Sequence, residues 1–175
     1  MVRFRLHVKS VVTIRHIFLS AGHNFFGHHG RPAGQNPTTD VPVVRCRAGM
    51  GLEGDRFFGY RPDYNGQVTF FAWETFEAVR IALAVPQLKP DAFRRNVLVE
   101  GAHLNDLIGT RFSLGGVDFE GMAEAKPCYC MNTAVAEGAE RWLRGHGGLR
   151  AKVLSDGELR RGRTELYAHG LLALR

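Results

Sequence analysis

At 175 residues, 45% hydrophobic and 23% charged, the chain is long enough to bury one real core and has ordinary globular composition. No apolar run approaches the roughly 18–20 residues of a membrane-spanning helix, and no signal-type apolar region follows the charged start, so a cytoplasmic protein is expected. Three cysteines without framework spacing exclude a disulfide scaffold, and a net charge of +6 asks for an anionic partner.

The basic residues are scattered in small groups, Arg45/Arg47, Arg94/Arg95 and Arg160/Arg161/Arg163, with no long basic run or tail. That distribution suits a small anionic ligand better than nucleic acid, with simple solubility as the alternative to both.

Residues 11–20 are β-branched and aromatic and predict a strand. Residues 21–40 form a long glycine-, proline- and histidine-rich loop carrying His23, Asn24, His28 and His29. A loop of this length inside a compact domain is usually functional, and two phenylalanines argue against plain disorder. Residues 41–47 predict a second strand, with Val44 and Cys46 on one face and Cys46 in the core. Gly49, Gly51 and Gly54 then make a tight turn with dinucleotide-type spacing, but no helix pattern comes after it, so that reading is rejected. Residues 67–72 predict a strand and 73–84 a helix, with Phe76, Val79 and Leu83 on its apolar face.

Residues 94–101 read as a strand entered through two arginines, of which Arg95 is the one favoured to point inward. Residues 104–108 look like one helical turn, and 111–121 like a hairpin turning at Gly115-Gly116. A break comes next at Pro127-Cys128, then a helix over 134–144 and a strand–turn–strand over 148–162 with Asp156-Gly157 at the turn. Short strands, tight glycine turns and few helices predict a mainly β (α+β) single domain over 1–175. Its expected form is a closed or partly closed β-barrel with a few peripheral helices; an α/β sheet ranks second because crossover helices are too few.

Cys128 is the residue most suited to chemistry. Pro127 fixes φ and removes a donor, so the thiol stands at a break rather than inside a strand. The neighbouring Lys126 ammonium, or a helix N-terminus, favours thiolate over thiol. A thiolate is a nucleophile, a sulfur acceptor and a soft metal ligand. The plainer alternative is a small buried hydrophobe. Cys130, two residues on, shares its side if the segment is extended. It can resolve a persulfide or close a disulfide, although so short a bridge is strained, and an incidental cysteine is the alternative.

Arg94, Arg95 and Arg150 are candidates to hold a phosphate, since a planar guanidinium matches it bidentately. Asn96 either orients a ligand or caps a turn. Asp55 and Arg56 either pair to hold the glycine turn or join the site, where amides near Gly54 can cradle an anion. The histidines are either a lid over a ligand or, less in keeping with their spacing, a metal site.

Four stretches in order resemble the MOSC domain, named for the C-terminal domain of molybdenum-cofactor sulfurase. They are Gly51-Leu52-Glu53-Gly54-Asp55-Arg56; Phe93-Arg94-Arg95-Asn96-Val97 with Glu100-Gly101, Leu104-Asn105 and Gly109; Gly116-Val117-Asp118-Phe119-Glu120-Gly121 leading to Pro127-Cys128; and Gly148-Leu149-Arg150-Ala151 with Asp156-Gly157. Together they cover about residues 41–162, and the His-rich loop is similar to that of a small stand-alone subgroup.

The resemblance implies a β-barrel with peripheral helices, and that Cys128 is the family cysteine that carries sulfur or ligates molybdenum in a molybdenum-pterin cofactor. Arg94, Arg95, Asn96, Arg150, Gly54, Asp55 and Arg56 would then contact the cofactor, with His23, Asn24, His28 and His29 on a substrate loop. It further implies reduction of N-hydroxylated compounds, with an electron-donor or sulfur-donor protein as partner. Two positions depart from the pattern: Phe57 and Phe58 stand where many members have histidine, and Gly162-Arg163 replaces the usual Gly-Asp. A cysteine at 130 is not expected of the family either. The competing functions are a non-catalytic module delivering a sulfur-containing or anionic ligand, and an RNA-binding barrel.

Overall fold

The computed structural model describes residues 5–28 and 30–171. The chain runs through β1 (Arg5–Leu19), β2 (Thr39–Asp40), β3 (Val43–Arg47), β4 (Gly51–Leu52) and β5 (Val68–Ala72), then α1 (Trp73–Ala82) and β6 (Val97–Glu100). After β6 come β7 (Arg111–Leu114), β8 (Val117–Glu124), α2 (Cys130–Ala134), α3 (Ala139–Trp142), β9 (Leu149–Val153), β10 (Gly157–Arg160) and β11 (Gly162–Leu171). Two 3-10 turns, Pro90–Phe93 and Leu104–Leu107, punctuate the middle of the chain.

Seven strands close a barrel in the order β1–β11–β7–β8–β9–β5–β6 and back to β1. Closure leaves these strands without free edges. Among the described strands only β5 and β6 pair in parallel, and α1 lies in the crossover that such a pair requires. β10, β3 and β4 form a separate small sheet.

β1 shows how sequence pattern and closure meet. Val12, Ile14 and Ile17 all reach the barrel interior, which strict alternation forbids. A bulge between Ile14 and His16 supplies the odd residue, so β1 pairs with β11 along its first part and with β6 beyond it.

Two cores result. Inside the barrel, Phe70, Phe112 and Phe119 meet ring to ring, with centroids 5.2–5.7 Å apart. Outside it, Phe71, Phe76, Val79, Phe93, Leu98, Cys130, Met131 and Leu143 pack the helices onto the sheet. Adjacent residues Phe70 and Phe71 thus serve opposite faces of β5. Gly121 is required by close approach: a Cβ there would sit 2.0 Å from the Leu107 carbonyl oxygen.

Several expectations need correction. The single helix over 134–144 is two short ones, starting earlier at Cys130 and interrupted at Gly138, whose φ of 85° is left-handed. The strand over 94–101 begins only at Val97, because Arg94 is left-handed, with φ of 51°, and ends the preceding 3-10 turn. The two strands around Asp156-Gly157 do not pair with each other: β9 joins the barrel and β10 joins β3. β11, beyond the last element read from the sequence, registers with ten residues of β1 and closes the barrel. No helix among the described residues is long and apolar enough to cross a membrane.

Candidate active site

On the outer face of β5 and β9, a cavity of about 330 Å³ opens between the 21–40 loop, the turn after β4 and the segment that carries Cys128. That volume lies at the lower end of the range, on the order of 300–1,000 Å³, typical of small-ligand pockets. Its lining brings together Arg56, Arg94, Arg95, Arg150, Cys128, His23 and Asn24, seven of the residues singled out from the sequence.

The segment bearing the thiol is held from behind by Arg95. Its guanidinium donates to the carbonyls of Ala125 (2.8 Å), Gly147 (2.9 Å) and Phe93 (3.2 Å). Gly147 is what lets the chains come so close, since a Cβ there would lie 2.4 Å from the Ala125 oxygen. Arg95 therefore spends three N–H groups on the scaffold, and its role is first of all to place Pro127 and Cys128. Cys128 itself is exposed, whereas Cys130, at the start of α2, is 4% exposed.

Arg94 does the same for the loop. Its Nη2 donates to Ser20 Oγ at 3.0 Å and to the Gly22 carbonyl at 2.9 Å, and its Nη1 reaches Thr38 Oγ1 at 3.4 Å, joining the two ends of the loop. The Arg94 carbonyl in turn accepts Arg56 Nη2 at 3.2 Å.

Arg56 pairs with the buried Asp55, whose Oδ2 lies 3.2 Å from Nη1. Asp55 also accepts from the backbone N–H of Phe57 and from Asn96 Nδ2. Asn96 is fully engaged: its Nδ2 also donates to the Phe18 carbonyl, and its Oδ1 accepts from Thr69 N–H and Oγ1. Asp55 and Asn96 lie behind the pocket wall, and Gly54 is absent from its lining as well. The amides around Gly54 donate to backbone carbonyls, Glu53 to Arg45, Asp55 to Leu52 and Arg56 to Ser20. The turn holds Arg56; it does not cradle an anion with these amides. Beyond Gly54 the chain makes a run of turns and no helix.

The electrostatics are one-sided. Five cations line the cavity, Arg56, Arg94, Arg95, Lys126 and Arg150, and no carboxylate does. Only Arg56 has an ion-pair partner among the described residues. Burial, and then the charge of Arg56, pulls Arg94 down to about 10. Burial, and then Arg150, does the same to Arg95, also to about 10. His23 is lowered by burial and then by Arg56 and Arg94, which favours its neutral imidazole. Confining like charges in a partly dry cleft is unfavourable, and a bound anion relieves all of it at once.

Aromatic rings form another part of the wall. Phe57 stacks on Tyr64 at 5.4 Å and meets His23 edge-on at 4.9 Å, while Tyr60 and Tyr64 lie 5.0 Å apart. Arg56 lies over the Phe57 ring at 5.0 Å. Sequence reasoning missed Phe57 and Tyr64 as site residues and read Lys126 only as a neighbour of the thiol; the run of aromatics between Phe57 and Tyr64 after a glycine turn was the available signal.

The histidines do not gather. His23 stands among the rings, His28 Nδ1 turns to the Pro32 carbonyl of its own loop at 2.9 Å, and His29 lies outside the described residues. Among the described residues, no three of His, Cys, Asp and Glu are grouped to hold a metal ion. Cys46 is buried in the barrel core, as expected, and burial pushes its thiol up to about 12.

The site is an exposed thiol beside a cation-lined cavity on the outside of a closed β-barrel. The family model of the MOSC domain matches residues 25–164, and the chain belongs to that family. A search of curated proteins finds no match. Among solved structures, the YuaD protein from Bacillus subtilis is similar with a TM-score of 0.74 at 16% identity, over 94% of this chain and 100% of that one. YiiM from Geobacillus stearothermophilus is similar with a TM-score of 0.65 at 16% identity, over 89% of this chain and 74% of that one. YiiM from Escherichia coli is similar at 0.59 and 17% identity, over 87% and 69%. At these identities the likeness concerns the fold alone.

Proposed function

We propose that this pocket binds a molybdenum-pterin cofactor, with Cys128 as the protein's thiolate ligand and the arginines on the cofactor's phosphate. The observation that carries the reading is the exposed Cys128 thiol beside five lining cations with no carboxylate among them. The residues fit the group in kind. A soft metal selects a thiolate, and with no cluster of three protein ligands among the described residues the remaining ligands would come from the cofactor.

When bound, the cofactor supplies the two-electron redox chemistry, and the protein supplies position and electrostatics. Arg150 and Lys126, which have no ion-pair partner among the described residues, are the free donors for a phosphate. Arg95 keeps the thiol loop fixed while its charge remains in the cleft. Arg94 ties down the loop that places His23 and Asn24 over the mouth. The neutral His23 and the aromatic wall suit an uncharged, flat substrate. Reduction of an N-hydroxylated compound, with electrons from a separate donor protein, is the activity proposed on the family resemblance.

The test is metal and pterin analysis of protein from a host that makes the cofactor, wild type beside Cys128→Ala. Molybdenum and pterin in the wild type, lost from the variant, support the reading. Their absence from both overturns it. The second reading is a sulfur carrier that delivers to a partner, because an exposed thiol can also hold a persulfide. Persulfide on Cys128 in metal-free protein would favour it.

A further inference from the structure

Cys128 and Cys130 are two thiols of unlike kind in one pocket. Both line it, but Cys128 is exposed and Cys130 is 4% exposed, packed with Phe93 and Met131 in the outer core. They stand only two residues apart, across the turn by which the chain enters α2. The third cysteine, Cys46, sits in the barrel core and takes no part.

Arg95 anchors the chain at Ala125, and beyond that anchor the backbone across the two thiols is lightly held. Residues 125–128 have no regular structure, and α2 is only five residues long with no side-chain cap. The turn across the pair rests on two bonds, Met131 N–H to the Cys128 carbonyl at 2.9 Å and Asn132 N–H to the Tyr129 carbonyl at 3.0 Å. A helix so short is readily unwound by a turn, because it has little cooperative length to lose. That freedom is what a bridge between cysteines two apart needs, since its bond geometry is demanding.

We infer that Cys130 is the resolving thiol of Cys128: once the exposed sulfur is oxidised, Cys130 closes it into an intramolecular disulfide. With hydrogen peroxide as oxidant, Cys128 Sγ attacks one peroxide oxygen. The O–O bond breaks, hydroxide leaves, and Cys128 becomes a sulfenic acid. Cys130 Sγ then attacks Cys128 Sγ. The S–S bond forms, the S–O bond breaks, and the departing hydroxide leaves as water with the Cys130 proton. The two thiols lose two electrons, and peroxide is reduced to two waters. A dithiol reductant reverses the closure. A persulfide on Cys128 reacts in the same way, with hydrosulfide as the leaving group.

Attack from within the fold needs no solvent path, so the burial of Cys130 is no obstacle. The lining cations stabilise the negative charge that develops as hydroxide or hydrosulfide departs. The effect is to withdraw the pocket's thiol reversibly before it reaches the irreversible sulfinic state.

The experiment compares wild type, Cys130→Ala and Cys130→Ser after peroxide treatment, with circular dichroism to establish that each is folded. In the wild type, peptide mass spectrometry should show the 128–130 peptide lighter by two hydrogens, restored by a dithiol, with no dimedone adduct. Loss of Cys130 should give a dimedone adduct on Cys128, and then sulfinic acid. Adduct and sulfinic acid forming equally in the wild type, or chains cross-linked through Cys128, would overturn the inference. A parallel treatment with polysulfide separates this proposal from the sulfur-carrier reading. If disulfide forms with peroxide but Cys128 never takes up sulfur, the resolving pair stands and sulfur carriage falls.

Discussion

The barrel interior and the cleft on its outer face are built by the same strands and obey opposite rules. Inside, Phe70, Leu149 and Phe119 are fully buried and pack ring on aliphatic chain. One residue over, Thr69 and Arg150 pair across β5 and β9 and face the cleft, where positive charges accumulate without carboxylates. No buried side-chain nitrogen or oxygen among the described residues lacks a hydrogen bond. The cleft's imbalance is therefore one of charge rather than of hydrogen bonding. The interior stabilises the fold; the cleft gathers positive charge.

The sharpest way to break that contrast is to damage the two regions separately. Phe119→Ala should cost about 3–5 kcal/mol by leaving a cavity among the barrel rings, read as a lowered urea midpoint. Cys128→Ala should leave that midpoint unchanged, because the side chain is exposed. A large loss of stability in the second variant would erase the distinction.

Next in size is Asp55→Asn. It removes the carboxylate paired with Arg56 and disturbs a buried network, and should cost about 1–3 kcal/mol. Sulfate should recover part of the loss by supplying the missing negative charge, read as a rise in melting temperature larger than in the wild type. No difference in the sulfate response would mean that Asp55 does not balance the cleft.

Arg150→Ala should weaken binding of an anion by about tenfold, the worth of one charged hydrogen bond, and raise rather than lower stability slightly, because Arg150 crowds Arg95. Titration of sulfate by calorimetry checks the first part and thermal unfolding the second.

The smallest effect is in the pH dependence. His23 is lowered in the folded state, so the unfolded chain binds the extra proton first. Its contribution is fully present above its ordinary value of 6.5 and is lost as pH falls through the folded value. Urea midpoints from pH 7.5 down to 5 should fall less in His23→Phe than in the wild type. Sulfate should shrink the wild-type slope by offsetting Arg56 and Arg94. A slope identical in both proteins would place His23 outside the electrostatics of the cleft.

Apolar and polar character along each strand is local, and can be read from residue order alone. Alternation was enough to find β3 with Cys46 inside, helical spacing to find α1 with Phe76 and Val79 buried, and paired turn glycines to find the hairpin at Gly115-Gly116. Local sequence was enough to place Cys128 at an accessible break, because Pro127 interrupts the regular backbone beside it. Family motifs were enough to name the barrel.

Other features belong to tertiary structure, because they depend on partners distant in the chain. Arg95 and Asn96 are adjacent in sequence, yet one lines the cleft and the other is consumed by Thr69, Asp55 and the Phe18 carbonyl. Nothing local separates them; the left-handed turn at Arg94 and the register of β6 against β5 do. Likewise, β9 and β10 are near neighbours in the chain, and only closure of the barrel, completed by the pairing of β11 with β1, sends them to different sheets. The charge surplus of the cleft is of the same kind. Arg56, the Arg94-Arg95 pair, Lys126 and Arg150 come from four separate stretches of sequence, and it is the fold that concentrates them around one exposed thiol.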